Sequence, residues 1–313
     1  MTRPAARFQL DSQEYAEAIQ REAAYWEATA GGAIDTSVAT WRDSALSAVT
    51  TGDLLERAIA VVLARGTRVL ELASGGGGIS MRLAREGCTC DGVDVAPGLI
   101  EGANRTAVER SRDEHWPGSA RFMVGDLNRM TFPPDHYDVV LAHAALHHVQ
   151  ELDHLLGEVR KTLKPGGTLV CVDHMEPSRA SLLLRYALLL ILPTEVPYWR
   201  KPRHIVNRVM ARVYRRFLPG RRAPAAFTLP PASPFEDVSG AEAISRIRSL
   251  FTVERCTTHL LFADVVAGHL RLGSPGRNVA MARRLRRLDD WLGRRFKLRG
   301  QTYFLVARKP MTS

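Results

Sequence analysis

The chain has 313 residues, 45% hydrophobic and 24% charged, ordinary values for a protein that buries a large core. Its net charge of +10 divides unevenly: residues 1–178 hold 17 Lys/Arg against 25 Asp/Glu, and residues 179–313 hold 26 against 8. Four cysteines with no CxxC pair and no Cys/His ladder point away from a disulfide framework or a metal site. The most apolar run, Ser181 to Leu192, is broken by Arg185 and falls short of the roughly twenty residues of a spanning helix.

Residues 1–20 lack the apolar stretch of a signal peptide, so a reduced, cytoplasmic chain is expected. From Asp11 to Ala64 the pattern is helical, with Ala16, Ile19, Ala23 and Trp26 at three- and four-residue spacing. Strands and helices then alternate. Arg68–Leu72, Thr89–Val93, Ala120–Val124, Tyr137–Ala142 and Thr168–Asp173 read as strands, and Ile79–Arg85, Gly98–Arg110 and Leu152–Leu163 as helices. Short β-branched runs separated by helices indicate βαβ units and a parallel sheet. Lys164-Pro165-Gly166-Gly167 reads as the turn feeding the last of these strands.

The rhythm stops after Glu176. Leu182–Leu192 and the basic amphipathic stretch Arg203–Leu218 are helix candidates, and a Pro/Ala-rich connector follows to Pro234. Thr252–Leu261 and Thr302–Val306 return to strand around a basic helix, Asn278–Arg295. Four segments result: an N-terminal helical lid (1–64), a core (65–178), a helical insertion covering an acceptor site (179–234), and C-terminal strands and helix that complete the sheet (235–313).

The chemistry concentrates at the strand ends. Val69-Leu70-Glu71-Leu72-Ala73-Ser74-Gly75-Gly76-Gly77-Gly78 is a strand ending in a carboxylate, then a glycine loop, then a helix start. Glycines there let backbone approach a ligand closely. The spacing misses the G-x-G-x-x-G of a dinucleotide loop, and Glu71 would repel a pyrophosphate but suits an ammonium group. Asp94, in Gly92-Val93-Asp94-Val95, can accept both hydroxyls of a ribose. Asp126, in Gly125-Asp126-Leu127, can receive an adenine amine. Tyr137-Asp138-Val139-Val140-Leu141-Ala142-His143, then Leu146-His147-His148-Val149 and Leu163-Lys164-Pro165-Gly166-Gly167, follow in order.

This succession over Arg68–Glu176 resembles the class I S-adenosylmethionine-dependent methyltransferase superfamily, in its bacterial small-molecule type. The resemblance implies an α/β, Rossmann-like fold: a seven-stranded, mostly parallel sheet with one antiparallel strand, an N-terminal helical lid and a helical insertion. It implies S-adenosylmethionine as cofactor over the strand ends. Glu71, Ala73, Gly75 and Gly77 would surround its methionine part, and Asp94 and Val95 the ribose and adenine. Asp126 and Leu127 would meet the adenine edge, and the Ala142 carbonyl the methionine amine. The family usually has glycine where Ala73 stands.

His143, just past the fourth strand, faces the position of the transferring methyl group and is the first candidate for a base; a satisfied core histidine is the competing reading. His174 is the second candidate. Tyr25, in the lid, and Tyr198 and Trp199, in the insertion, are candidates for lining the acceptor pocket. No N-P-P-Y tetrad follows the fourth strand, which argues against methylating nucleic-acid amines. No carboxylate sits at that turn, which argues against a magnesium-assisted catechol enzyme.

The expected function is methyl transfer to a small apolar or anionic metabolite, at oxygen or carbon, with no nucleic-acid partner. Two alternatives stay open. One is a methyltransferase-fold protein whose basic segment 203–218 contacts a membrane surface or nucleic acid; the other is non-methylating chemistry on the same fold.

Overall fold

The computed structural model describes residues 12–30, 43–203, 205–207, 235 and 238–311. Most of the Arg203–Leu218 stretch and the connector to Pro234 lie outside them.

Seven strands form one sheet: β1 (Arg68–Leu72), β2 (Thr89–Asp94), β3 (Ser119–Val124), β4 (Tyr137–His143), β5 (Leu163–His174), β6 (Thr252–His259) and β7 (Thr302–Arg308). Their order is β3-β2-β1-β4-β5-β7-β6, and β7 alone runs against its neighbours. Central strands covered on both faces read as continuous apolar runs. Val69, Leu70 and Leu72 of β1 and Val139, Val140 and Leu141 of β4 are accordingly fully buried.

Ten helices are named here: α1 (Ser12–Ala30), α2 (Ser44–Thr50), α3 (Gly52–Arg65), α4 (Gly78–Arg85), α5 (Pro97–Glu114), α6 (Leu152–Thr162), α7 (Arg179–Ile191), α8 (Gly240–Leu250), α9 (Ala263–His269) and α10 (Pro275–Phe296). One core, built on Leu70, Val140, Leu156 and Leu305, joins one sheet face to α6 and α8. A second, built on Ile59, Val139 and Phe304, joins the other face to α3. A third, with Leu189, Phe262 and Leu285, holds α7, α9 and α10 together beyond the sheet.

The structure departs from the sequence reading in four places. Lys164–Gly167 is a bulge inside β5: Leu163 pairs with Tyr137 and Thr168 already with Val139, and Gly166 takes φ +74 to absorb the extra residues. Helix α8 is additional, although Ser239 and Glu242 stand at capping-box spacing and the Ser239 hydroxyl accepts the Glu242 N–H. Helix α9 is also additional. Its start is held by a residue far along the chain, since Asp289 of α10 accepts the N–H groups of Leu261, Phe262 and Ala263 at 3.0, 2.9 and 2.8 Å.

The fourth departure inverts the apolar run of α7. Arg185 points inward and donates to the Leu261 carbonyl and the Gln301 side chain, while Leu183 and Ile191 face out. Burying a guanidinium requires such acceptors. Among the described residues no helix is long and apolar enough to cross a membrane.

Candidate functional site

In open α/β sheets ligands bind beyond the carboxyl ends of the strands, where the order reverses. Here that point lies between β1 and β4. The loop after β1 is shaped by three successive turns to the left-handed region: Ala73 (φ +51), Gly75 (φ +52) and Gly77 (φ +74). Gly77 is obligatory on two counts, since a Cβ there would stand 2.3 Å from the Phe122 ring. Ala73 has no glycine's freedom, so its left-handed backbone costs about 1–2 kcal/mol. Across the gap Ala144, after β4, is also left-handed at φ +52.

Three carboxylates end the first three strands. Glu71 is buried and accepts the Ser80 N–H at 3.0 Å and the Ser80 hydroxyl at 2.5 Å. Burial nevertheless pushes its pKa up to about 7, the Ser80 bonds only partly offsetting it. Asp94 accepts the Gly75 N–H at 2.8 Å and the Ala96 N–H at 3.0 Å, tying the glycine loop to β2. Burial raises its pKa against those bonds. Asp126 accepts from both the backbone and side chain of Asn128, and its other oxygen accepts the Tyr15 hydroxyl at 2.6 Å.

Two cavities flank the loop. The larger opening, about 320 Å³, is lined by Glu71, Ser74, Ile79 and Arg82 and reaches Ala73, Gly75 and His143. The other, about 230 Å³, shares those last three and continues past Asp94, Val95, Asp126 and Leu127. Helix α1 roofs it with Ile19, Glu22 and Trp26, and Phe235 closes one side. The Ser74 hydroxyl, on the first cavity's wall, is buried with no partner.

At the end of β4 four imidazoles, those of His143, His147, His148 and His174, gather near one carboxylate. Asp173 is buried, accepts the Leu146 and His174 N–H groups at 2.6 Å each, and lies 2.5 Å from His147 Nδ1. Burial raises its pKa, but the His147 bond and charge, with His174, more than reverse this and hold it below the usual carboxylate range. The ionised Asp173 can only accept, so the His147 proton sits on Nδ1. His147 packs on His148 at 3.9 Å and on His174 at 4.7 Å between ring centres. Burial, then His147, lowers His148 to about 3 and His174 to about 4. Burial also lowers His143, against a weaker pull from Asp173.

Of the residues expected from the sequence, Glu71, Ala73, Gly75, Asp94, Val95, Asp126, Leu127 and His143 line the two cavities. Gly77 shapes the loop, and Ala142 is buried in β4 beside Leu72 and Cys171. His174 and Tyr25 do not line either cavity; Tyr25 packs edge-on against Trp26. Tyr198 and Trp199 are not brought there either: both are exposed, and the Tyr198 hydroxyl donates to the Ile191 carbonyl at the outer end of α7.

Among the described N-terminal helices α1 roofs the 230 Å³ cavity, α3 packs on the sheet and reaches the 320 Å³ cavity through Leu55 and Ile59, and α2 packs on α9 and α10. The face of α1 that is buried carries Tyr15, Ala18 and Glu22, not Ala16 and Ala23. Polar partners turn it: Asp126 takes Tyr15, and Glu22 takes the Trp26 indole N–H at 2.7 Å and lies 3.4 Å from His148. Ile19, Glu22 and Phe235 are thus additions to the site. A glutamate in the apolar stripe of α1 was the available signal.

Residues 70–171 match the family model described as a methyltransferase domain. The chain is similar to the ubiquinone/menaquinone biosynthesis C-methyltransferase UbiE of Azotobacter vinelandii, 30% identical over 118 residues, 38% of this chain and 46% of that protein. It spans about half the length of the curated relatives it matches. Among solved structures it shares its fold with the [4+2]-cyclase SpnF (TM-score 0.51, 18% identity, 96% of this chain and 97% of that one). It shares it likewise with a putative sarcosine dimethylglycine methyltransferase from Galdieria sulphuraria (TM-score 0.51, 16% identity, 93% and 98%). Residues 70–171 thus form a methyltransferase domain, set in a seven-stranded sheet of the Rossmann-like class I methyltransferase fold.

Proposed function

We propose that the protein transfers a methyl group from S-adenosylmethionine to a small, largely apolar metabolite, at oxygen or carbon. The observation that carries this reading is the row of Glu71, Asp94 and Asp126 at three adjacent strand ends along two connected cavities. The residues fit the cofactor. Glu71 and the unpartnered Ser74 hydroxyl suit an ammonium group and its neighbours, Asp94 suits two ribose hydroxyls, and Asp126 with Leu127 suits the adenine edge.

When bound, S-adenosylmethionine supplies a methyl group on a positively charged sulfur. The chain's share is to align the acceptor, exclude water and hold a proton. The roof of Ile19, Trp26 and Phe235 gives an apolar lining for an acceptor of low polarity. His143 stands on the wall common to both cavities and is neutral at pH 7, so it can take a hydroxyl proton from the acceptor. His147, oriented by Asp173, fixes the turn after β4 and positions its neighbours.

The test has two readouts. S-adenosylhomocysteine should bind the purified protein in calorimetry. Incubation with methyl-labelled cofactor and cell extract should then yield a product heavier by one methyl. Binding without any labelled product would favour non-methylating chemistry, and absence of binding would overturn the reading.

A further inference from the structure

Helix α10 carries a surface that the site leaves unused. Its inner side is committed: Leu285 packs in the third core, Asp289 holds the start of α9, and Arg286 pairs with Asp53 and Asp290. Its outer side is exposed over 22 residues, a rod about 33 Å long. At helical spacing Trp291 stands near the C-terminal end of that side, 53% exposed, with Leu288 one turn away. Arg284 and Arg287 precede it and Arg294 and Arg295 follow it, all exposed. None of these four pairs with a described carboxylate, although Arg286 of the same helix pairs with two. Phe296, exposed, packs edge-on against Trp291 at 6.0 Å.

A merely solvated face needs the charges but not an exposed tryptophan, leucine and phenylalanine among them. On the Arg294 flank the surface opens into a cleft of about 440 Å³, lined also by Lys297, Arg57, Thr257 and Thr258. Two carboxylates on its wall, Asp289 and Asp290, are already engaged by the backbone of α9 and by Arg286.

We propose that the outer face of α10 docks on an anionic lipid bilayer. Leu288, Trp291 and Phe296 enter the headgroup boundary, and the arginines pair with lipid phosphates, one headgroup reaching the cleft beside Arg294. A convex helix face with apolar side chains between arginines suits a plane into which it can sink. It is poorly suited to single-stranded nucleic acid, which requires a groove lined by several stacking aromatics. The charge fits, because residues 179–313 hold 26 Lys/Arg against 8 Asp/Glu.

The experiment is co-sedimentation of the full chain with vesicles of phosphatidylcholine containing phosphatidylglycerol, against phosphatidylcholine alone. Binding to the anionic vesicles only, weakening with salt, is expected. Each arginine near such a surface contributes about fivefold, so the double variant Arg284→Glu, Arg287→Glu should bind at least tenfold more weakly. Trp291→Ala should bind several-fold more weakly and keep the salt dependence. All three positions are surface ones, and unchanged circular dichroism and melting verify the fold. Equal binding to both vesicles, or wild-type binding by the double variant, overturns the proposal. So does displacement from vesicles by an oligonucleotide that the double variant no longer binds. None of these readouts depends on methyl transfer.

Discussion

The Tyr15 hydroxyl donates to Asp126 at 2.6 Å, tying the first helix of the chain to the end of β3. Arg129 lies over the same ring at 3.9 Å, and burial together with Asp126 raises the phenol's pKa well above its usual value. Tyr15→Phe keeps the ring packing and removes a charge-assisted hydrogen bond worth about 1.5–3 kcal/mol. Amide hydrogen exchange in α1 should therefore accelerate at least tenfold while the sheet is unaffected. Unaltered exchange would mean that α1 is held by its apolar contacts alone.

Ala73 adopts φ +51, a conformation that glycine accepts freely. Relief of about 1–2 kcal/mol, less roughly 0.5–1 kcal/mol of extra glycine entropy in the unfolded chain, leaves Ala73→Gly modestly stabilising. Urea unfolding should show a gain of about 0.5–1 kcal/mol. Gly77→Ala should do the reverse and lose stability, since its Cβ would meet Phe122 at 2.3 Å.

Glu71, held near pH 7 by burial, should ionise when an ammonium arrives beside it. Binding of S-adenosylhomocysteine at pH 7 should release roughly half a proton, seen as a binding enthalpy that varies with the buffer's ionisation enthalpy. Glu71→Gln should abolish that variation. An invariant wild-type enthalpy would mean that the ammonium sits elsewhere. In the unliganded protein the sign is fixed as well. A raised carboxyl pKa gives stability that is full below about pH 4.3 and is lost as pH rises through 7.

The histidines act at the other end of the scale. Burial lowers His148 to about 3 in the folded protein against about 6.5 when unfolded, so the unfolded chain takes up its proton first. Its contribution is present above about pH 6.5 and is lost as pH falls through the folded value, at up to about 1.4 kcal/mol per pH unit. Denaturant midpoints should fall steadily from pH 6.5 to 4, and His148→Gln should flatten that slope. An unchanged slope in the variant would assign the acid sensitivity to other groups.

The base is separable from its supports. His143→Ala should lower kcat by roughly 10²–10⁴-fold, leave S-adenosylhomocysteine affinity unchanged, and remove the ascending limb of the pH–rate profile. Asp173→Asn should loosen the turn at Leu146 and lower stability while keeping that limb. If the limb survives in His143→Ala instead, another group takes the proton.

The sheet and its strand-end carboxylates were legible because both are local properties. Apolar runs set β1 to β5, and Glu71, Asp94 and Asp126 each stand where a strand meets a loop. What the sequence hid depends on partners distant along the chain. Arg185 lies inward only because the Leu261 carbonyl and Gln301 await it. The burial of Tyr15 depends on Asp126, and the start of α9 on Asp289. Tyr198 and Trp199 carried the opposite lesson: aromatic residues in an insertion resemble a pocket wall, yet these two lie outside.

The place of β7 between β5 and β6 also has a consequence in time. Its Thr302 pairs with His174 of β5, and Tyr303, Leu305 and Ala307 fill the same core as Leu169 and Cys171. During synthesis at about 5–20 residues per second, about 130 residues follow His174 before Thr302 is made, roughly 6–26 s. Throughout that interval β5 is an open edge, able to pair with any extended segment nearby. The helices made meanwhile offer it no partner, and β6, made in the same interval, pairs with β7 and not with β5, so that edge closes only when the seventh strand arrives.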